Sequence, residues 1–224
     1  MVEKIMKKII LFDLDGTLTD PKEGITKCVQ YALKYFNIEV SDREELLCFI
    51  GPPLIDSFQD FYGFSPDDAS VAVDKYRERY REIGIFENKI YDGIIDMLSA
   101  CKNAGKTICL ATSKPEEFAR RILEKYGMTE YFDEVVGSTL DGRINAKSDV
   151  IKEAFRRLGI NTHEQLTKVI MVGDRKHDII GAKACNIQCV GVRFGYAEKG
   201  ELEEAGADYI ADTVLELKER LLSL

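Results

Sequence analysis

The sequence predicts an α/β fold: a parallel sheet covered by helices on both faces, with a helical insertion after the first strand. Three observations predict it. Short apolar runs recur along the 224 residues, none approaching the roughly 20 needed to cross a bilayer. Apolar residues at helical spacing separate most of these runs. One stretch, residues 19–88, breaks the alternation and carries helical pattern alone.

Residues 8–12 (KIILF) read as the first strand, and continuous apolar character marks it as buried on both faces. No strand is expected from there to Tyr91. Within that span Val29, Leu33 and Phe36 share one helical face, and Val73, Tyr76 and Tyr80 another. Gly51-Pro52-Pro53 and Ser65-Pro66 punctuate the helices. Ile94, Ile95, Leu98 and Cys101 mark the next helix, with Gly105 after its end. Residues 107–111 (TICLA) are the second strand. Phe118, Ile122 and Leu123 mark a helix that stops near Gly127, and residues 134–136 (EVV) a third strand. Val150, Ile151, Ala154, Phe155 and Leu158 form an apolar helical stripe closed by Gly159. Residues 168–172 (KVIMV) and 188–192 (QCVGV) are two further strands, and residues 208–210 a short edge strand. The domain expectation is a core of residues 1–18 and 89–224 with residues 19–88 inserted. The insertion carries eight basic and 14 acidic residues, six of the eight net negative charges of the chain.

Composition excludes several classes. Hydrophobic residues at 45% and charged residues at 31% match an ordinary soluble protein and not a disordered or membrane-spanning one. Lys+Arg number 31 against Asp+Glu 39, so no basic surface is expected for nucleic acid. The six cysteines form no CxxC pair and read as reduced, packed thiols. Two histidines argue against a histidine-rich zinc site. The lysines before Ile9-Ile10-Leu11-Phe12 have the look of a signal peptide, but Asp13 and Asp15 interrupt the apolar run. The expected compartment is the cytoplasm.

In an open parallel sheet, ligands bind at the carboxyl ends of the strands. Four features fall there. Asp13 and Asp15 follow the first strand and, two residues apart, face the same side. Such a pair repels itself and needs a cation or a shared proton. Thr112-Ser113 follow the second strand, with Pro115 expected in the first turn of the next helix, whose N–H groups can hold an anion. Lys147 opens the helix of Val150 and Ile151. Gly173-Asp174-Arg175-Lys176-His177-Asp178 follow the fourth strand, with Asp178 expected one helical turn beyond Asp174. Hard oxygen donors at these two strand ends suit Mg²⁺.

Taken in order, Asp13-x-Asp15-Gly-Thr17, Thr112, Lys147 and Gly173-Asp174-x-x-x-Asp178 resemble the haloacid dehalogenase (HAD) superfamily of phosphohydrolases over the whole chain. The insertion looks like that family's helical cap. Gly51-Pro52-Pro53-Leu54 is similar to a segment of its phosphoglycolate phosphatase-like branch. The resemblance implies a Rossmann-like, HAD-like core and a Mg²⁺-dependent phosphatase for a small phosphomonoester: phosphoglycolate-like, nucleotide or sugar phosphate. Asp13 would be the nucleophile and form an aspartyl-phosphate. Asp15 would be the general acid and base. Thr112, the Ser113 amide and Lys147 would hold the phosphoryl group. The metal would be bound by the carboxylates of Asp13 and Asp174 and the backbone carbonyl of Asp15. Asp178 would support Lys147 or the metal shell. The cap would close over the strand ends, with Lys22 and the backbone of Gly51, Pro52 and Pro53 as candidate readers of the leaving group.

Two departures from the family pattern stand out. Arg143 lies one place early in the segment leading to Lys147. Arg175-Lys176-His177 is unusually basic and reads as surface charge or a gate beside the metal. Two alternatives remain open: a phosphosugar mutase on the same core, and a non-catalytic phospho-ligand binding protein. Monomer and homodimer are equally compatible with the sequence.

Overall fold

The structure is a computed structural model and describes residues 6–224. The strands are β1 (Ile9–Phe12), β2 (Thr19–Asp20), β3 (Lys89–Ile90), β4 (Thr107–Pro115), β5 (Glu134–Ser138), β6 (Val169–Gly173), β7 (Gln188–Val192) and β8 (Tyr209–Ala211). The helices are α1 (Lys22–Tyr35), α2 (Leu54–Tyr62), α3 (Pro66–Glu82), α4 (Ile94–Asn103), α5 (Glu116–Lys125), α6 (Lys147–Leu158), α7 (His163–Leu166), α8 (Lys176–Ala184), α9 (Glu201–Ala205) and α10 (Val214–Ser223). The chain forms two compact units. One runs to Leu18 and resumes at Ile90; the other is Thr19–Lys89.

The first unit is built on a six-stranded sheet of order β5-β4-β1-β6-β7-β8. Every pair in it is parallel. β1 is central because Ile10, Leu11 and Phe12 are all apolar and all 0% exposed. Burying each such side chain contributes about 1.5–3 kcal/mol. Phe12, the last residue of β1, lies level with Leu110 of β4 and Val172 of β6. The pleat divides the core. Leu11, Cys109, Ala111, Val136 and Met171 pack against Val150, Ile151 and Ala154 of α6 and Ile179 and Ala182 of α8. The alternate residues, including Ile10, Phe12, Leu110 and Val172, face the other side, where α4 packs on β4 and α10 on α4. Gly159 closes α6 with φ +67°, a left-handed conformation that spares it the Cβ penalty.

The second unit packs α1 and α2 against α3. Its α2 end is an aromatic cluster in which Phe49 contacts Phe58, Phe61 and Tyr62. The side chain of Ser65 caps α3 at Asp68 N, with Pro66 in the first turn.

Several expectations need correction. A small ladder, β2 with β3, exists where only helix was expected; two-residue strands leave no periodicity to read. β4 continues past Ala111 to Pro115, with a register shift between Thr112 and Pro115. Pro115 is therefore the N-cap residue of α5 and lies outside its first turn. β5 reaches Ser138 because Gly137 allows close approach to the backbone of Glu116.

Candidate active site

Asp13 and Asp15 follow β1 directly, 5% and 8% exposed, while Leu14 between them is fully buried. The Asp13 N–H donates to the carbonyl of Val172 at 2.9 Å, extending the β1–β6 pairing by one residue. Gly16 then turns the chain with φ +80°. A Cβ at Gly16 would collide with the carboxylate of Asp174, so glycine is needed both for the turn and for the approach.

Asp174 leaves β6 fully buried. Its Oδ1 accepts from the Thr17 hydroxyl at 3.3 Å and its Oδ2 from the Tyr196 N–H at 2.8 Å. Asp178 was expected one helical turn beyond Asp174. Instead Asp174 precedes the helix, and Arg175 is the N-cap of α8. Asp178 bonds back through Oδ2 to the Arg175 N–H at 3.1 Å. Ligand oxygens of Asp13, Asp174 and Asp178 nevertheless lie within 4.8 Å of one another.

Lys147 stands at the first position of α6, 6% exposed. Its Nζ lies 2.8 Å from Asp13 Oδ1 and 2.7 Å from Asp178 Oδ1, and donates to the Ala111 carbonyl at 3.1 Å. The two carboxylate contacts are charge contacts, not aligned hydrogen bonds. Burial opposes the Lys147 charge, but Asp13 and Asp178 outweigh it and raise its pKa. Burial raises Asp174 well above the usual carboxylate range, with Asp178 and Asp13 adding repulsion. Burial likewise pushes Asp178 up to about 6, although Lys147 pulls against it. Three buried carboxylates around one ammonium leave an excess of negative charge. All are hard oxygen donors, gathered within 4.8 Å of one another. That donor set fits Mg²⁺.

The Asp15 side chain stands outside this acidic cluster. Its Oδ2 pairs with Lys114 Nζ at 2.6 Å, so only its backbone carbonyl remains as the expected metal ligand. Burial raises the Asp15 pKa, with Lys114 opposing. Lys114 was absent from the sequence candidates. A lysine after a strand is ordinarily a solvated charge, and only its place between Thr112 and Pro115 hinted otherwise. Thr112 is buried and accepts the Lys114 N–H at 3.2 Å; Ser113 is half-buried.

Lys22 pairs with Glu44 at 2.5 Å and is substantially exposed; Pro53 is the N-cap residue of α2, preceded by Gly51 and Pro52. Arg143 is exposed and pairs with Asp141 at 2.6 Å. Arg175 is not surface charge: it is buried and pairs with Glu201 at 2.9 Å. Glu201 also accepts from the Lys176 N–H at 2.7 Å. Lys176 is exposed and His177 half-buried. Among the described residues, no helix is long and apolar enough to cross a membrane.

The family described as haloacid dehalogenase-like hydrolase matches residues 10–192. A 5'-nucleotidase of Pseudomonas aeruginosa is 44% identical over 193 residues, covering 86% of each chain. Tyrosine-protein kinase PtkA of Mycobacterium tuberculosis is 34% identical over 217 residues, covering 96% of this chain and 72% of that one. The crystal structure of a predicted phosphatase from Clostridium acetobutylicum superposes with a TM-score of 0.93 at 46% identity, covering 98% of this chain and 100% of that one.

Proposed function

This chain belongs to the haloacid dehalogenase-like hydrolases, and on that premise we propose that it is a Mg²⁺-dependent phosphatase of small phosphomonoesters working through Asp13. Its class, phosphoric monoester hydrolase, comes with the family. The metal, the substrate and the residue roles are our reading. The observation that best supports them is the burial of Asp13 beside the Lys147 ammonium and in one cluster with the carboxylates of Asp174 and Asp178. Buried charge clusters are costly to fold and concentrate at functional sites.

In this reading a carboxylate oxygen of Asp13 attacks phosphorus, and the P–O bond to the leaving group breaks. Asp15 gives its proton to the departing oxygen, leaving an aspartyl-phosphate on Asp13. Asp15 then takes a proton from water, whose oxygen attacks phosphorus, releases phosphate and frees Asp13. Lys147 offsets charge on the transferring group, while the Thr112 hydroxyl and Ser113 amide hold its oxygens. Asp178 keeps Lys147 in place. The carboxylates of Asp13 and Asp174 and the carbonyl of Asp15 would hold Mg²⁺. When bound, it screens the repulsion between a carboxylate nucleophile and a phosphate dianion.

Residues 19–88 serve in the proposal as a cap, with Lys22 and the Gly51–Pro53 backbone reading the leaving group. The first substrate class is the 5'-nucleotides, on the strength of the 5'-nucleotidase relative. The same reading includes a cytoplasmic location and a monomeric or homodimeric state. The test is phosphate release from a panel of nucleoside 5'-monophosphates, sugar phosphates and 2-phosphoglycolate, with Mg²⁺ and after chelation. Release that depends on Mg²⁺ and vanishes in Asp13→Asn supports the reading. Phosphate transferred to a second hydroxyl, with none in solution, would replace it with a mutase or kinase. Undiminished turnover in chelator would remove the metal.

A further inference from the structure

We propose that Lys114 is a positioning residue for Asp15: it fixes one carboxylate oxygen so that the other exchanges protons with the leaving group and with water. The inference rests on the phosphatase mechanism above and extends it by naming the working atom and what holds it.

Three observations carry it. Lys114 Nζ lies 2.6 Å from Asp15 Oδ2, with the two side chains only 6% and 11% exposed. Asp15 Oδ1 is buried and has no hydrogen-bond partner among the described residues. Three other basic groups of the neighbouring segments are engaged elsewhere: Lys147 by Asp13 and Asp178, Arg175 by Glu201, Arg143 by Asp141. The carboxylates after β1 therefore have an ammonium each. Lys147 faces Asp13, and Lys114 faces Asp15.

The physical reason is orientational. Rotation of a carboxylate about its last torsion is soft, so neither oxygen is distinguished without a strong partner. A charge-assisted contact supplies that partner. Lys114 is well placed because β4 runs past Thr112, and the Thr112 hydroxyl accepts its N–H. The strand end that offers a hydroxyl to the phosphoryl group thus also fixes the general acid. In the first step the Asp15 Oδ1 proton moves to the ester oxygen as the P–O bond breaks and the Asp13–P bond forms. In the second step a water proton moves to the same Oδ1 as the water oxygen bonds to phosphorus and the Asp13–P bond breaks.

The experiment is a double-mutant cycle of Lys114→Met and Asp15→Asn, read as kcat/KM on an alkyl phosphate and on the activated ester 4-nitrophenyl phosphate. Lys114→Met should lose about 10²-fold on the alkyl phosphate, the lower end of what a general acid contributes, and much less on the aryl ester. In the Asp15→Asn background it should cost nothing further. Lys114→Gln, which keeps a donor, should recover part of the loss. It also carries the test if Lys114→Met melts at assay temperature. Equal losses on both esters, or fully additive losses in the cycle, would overturn the proposal. If Asp15→Asn itself lacked leaving-group dependence, the failure would lie in the general-acid reading of Asp15.

Discussion

At the scale of single residues, the site is a problem of charge balance. Asp13, Asp174 and Asp178 are buried together, and Lys147 touches two of them. Asp13→Asn should reduce turnover by at least about 10⁴-fold, the scale set by loss of a nucleophile. The variant should remain folded, because it relieves repulsion among carboxylates. Near-normal turnover in a purified, folded variant would refute the covalent step. Lys147→Ala should behave differently. It should cost about 10²–10³-fold on every substrate, independent of leaving group, as for loss of one partner to transition-state charge. It should also destabilise the protein by about 3–5 kcal/mol in chelator, since it strips buried carboxylates of their counter-charge. Thermal melts beside the kinetics check both parts.

At the scale of elements, α5 and α6 are tied across the edge of the sheet by ion pairs. Arg157 on α6 reaches Glu116 on α5 at 2.9 Å and Glu153 on its own helix at 2.8 Å. Arg120 meets Glu116 at 2.7 Å, and both arginines donate to the Val135 carbonyl of β5. Arg156 and Arg157 hold Glu153 down at about 2. Against its burial, Arg157 and Arg120 hold Glu116 below its ordinary value. A carboxyl whose folded pKa is depressed stabilises the fold above its unfolded pKa, here about 4.5, and loses that contribution as pH falls through the folded value. Arg157→Met should therefore lower Tm by about 2–4 °C near neutral pH, a modest effect for a half-buried network near the surface. The difference from wild type should shrink as pH falls from about 5 towards 2. Melts across that range test it, and a gap that widened on acidification would contradict the assignment.

At the scale of the whole molecule, metal binding and folding should be linked. A ligand that binds the folded state alone stabilises it by RT ln(1 + [L]/Kd), about 2.7 kcal/mol at 100 Kd. Mg²⁺ should raise Tm over the chelated protein, and Asp174→Asn should abolish most of that rise. An unchanged Mg²⁺ shift in Asp174→Asn would remove Asp174 as a ligand without any appeal to turnover.

The sequence by itself determined the strands of the six-stranded sheet, most of the helices and the points where chemistry can sit. Central parallel strands must be continuously apolar, so an aspartate or threonine directly after one announces itself. Asp13, Thr112 and Asp174 were legible for that reason, and Lys147 through its place at the start of a helical stripe. Tertiary structure alone decided the rest. The order β5-β4-β1-β6-β7-β8 joins strands far apart in the chain, and local periodicity carries no record of which neighbours pair. Lys114 looks like a surface lysine until β4 is laid beside β1 and its ammonium meets Asp15. Arg175 looks like part of a basic surface until Glu201, 26 residues away, is folded against it. Tyr196 bears on the site through its backbone N–H to Asp174, a group every residue but proline possesses, so no side-chain pattern could have flagged it. Patterning records which residues are buried; which buried charges meet is set by packing between distant segments.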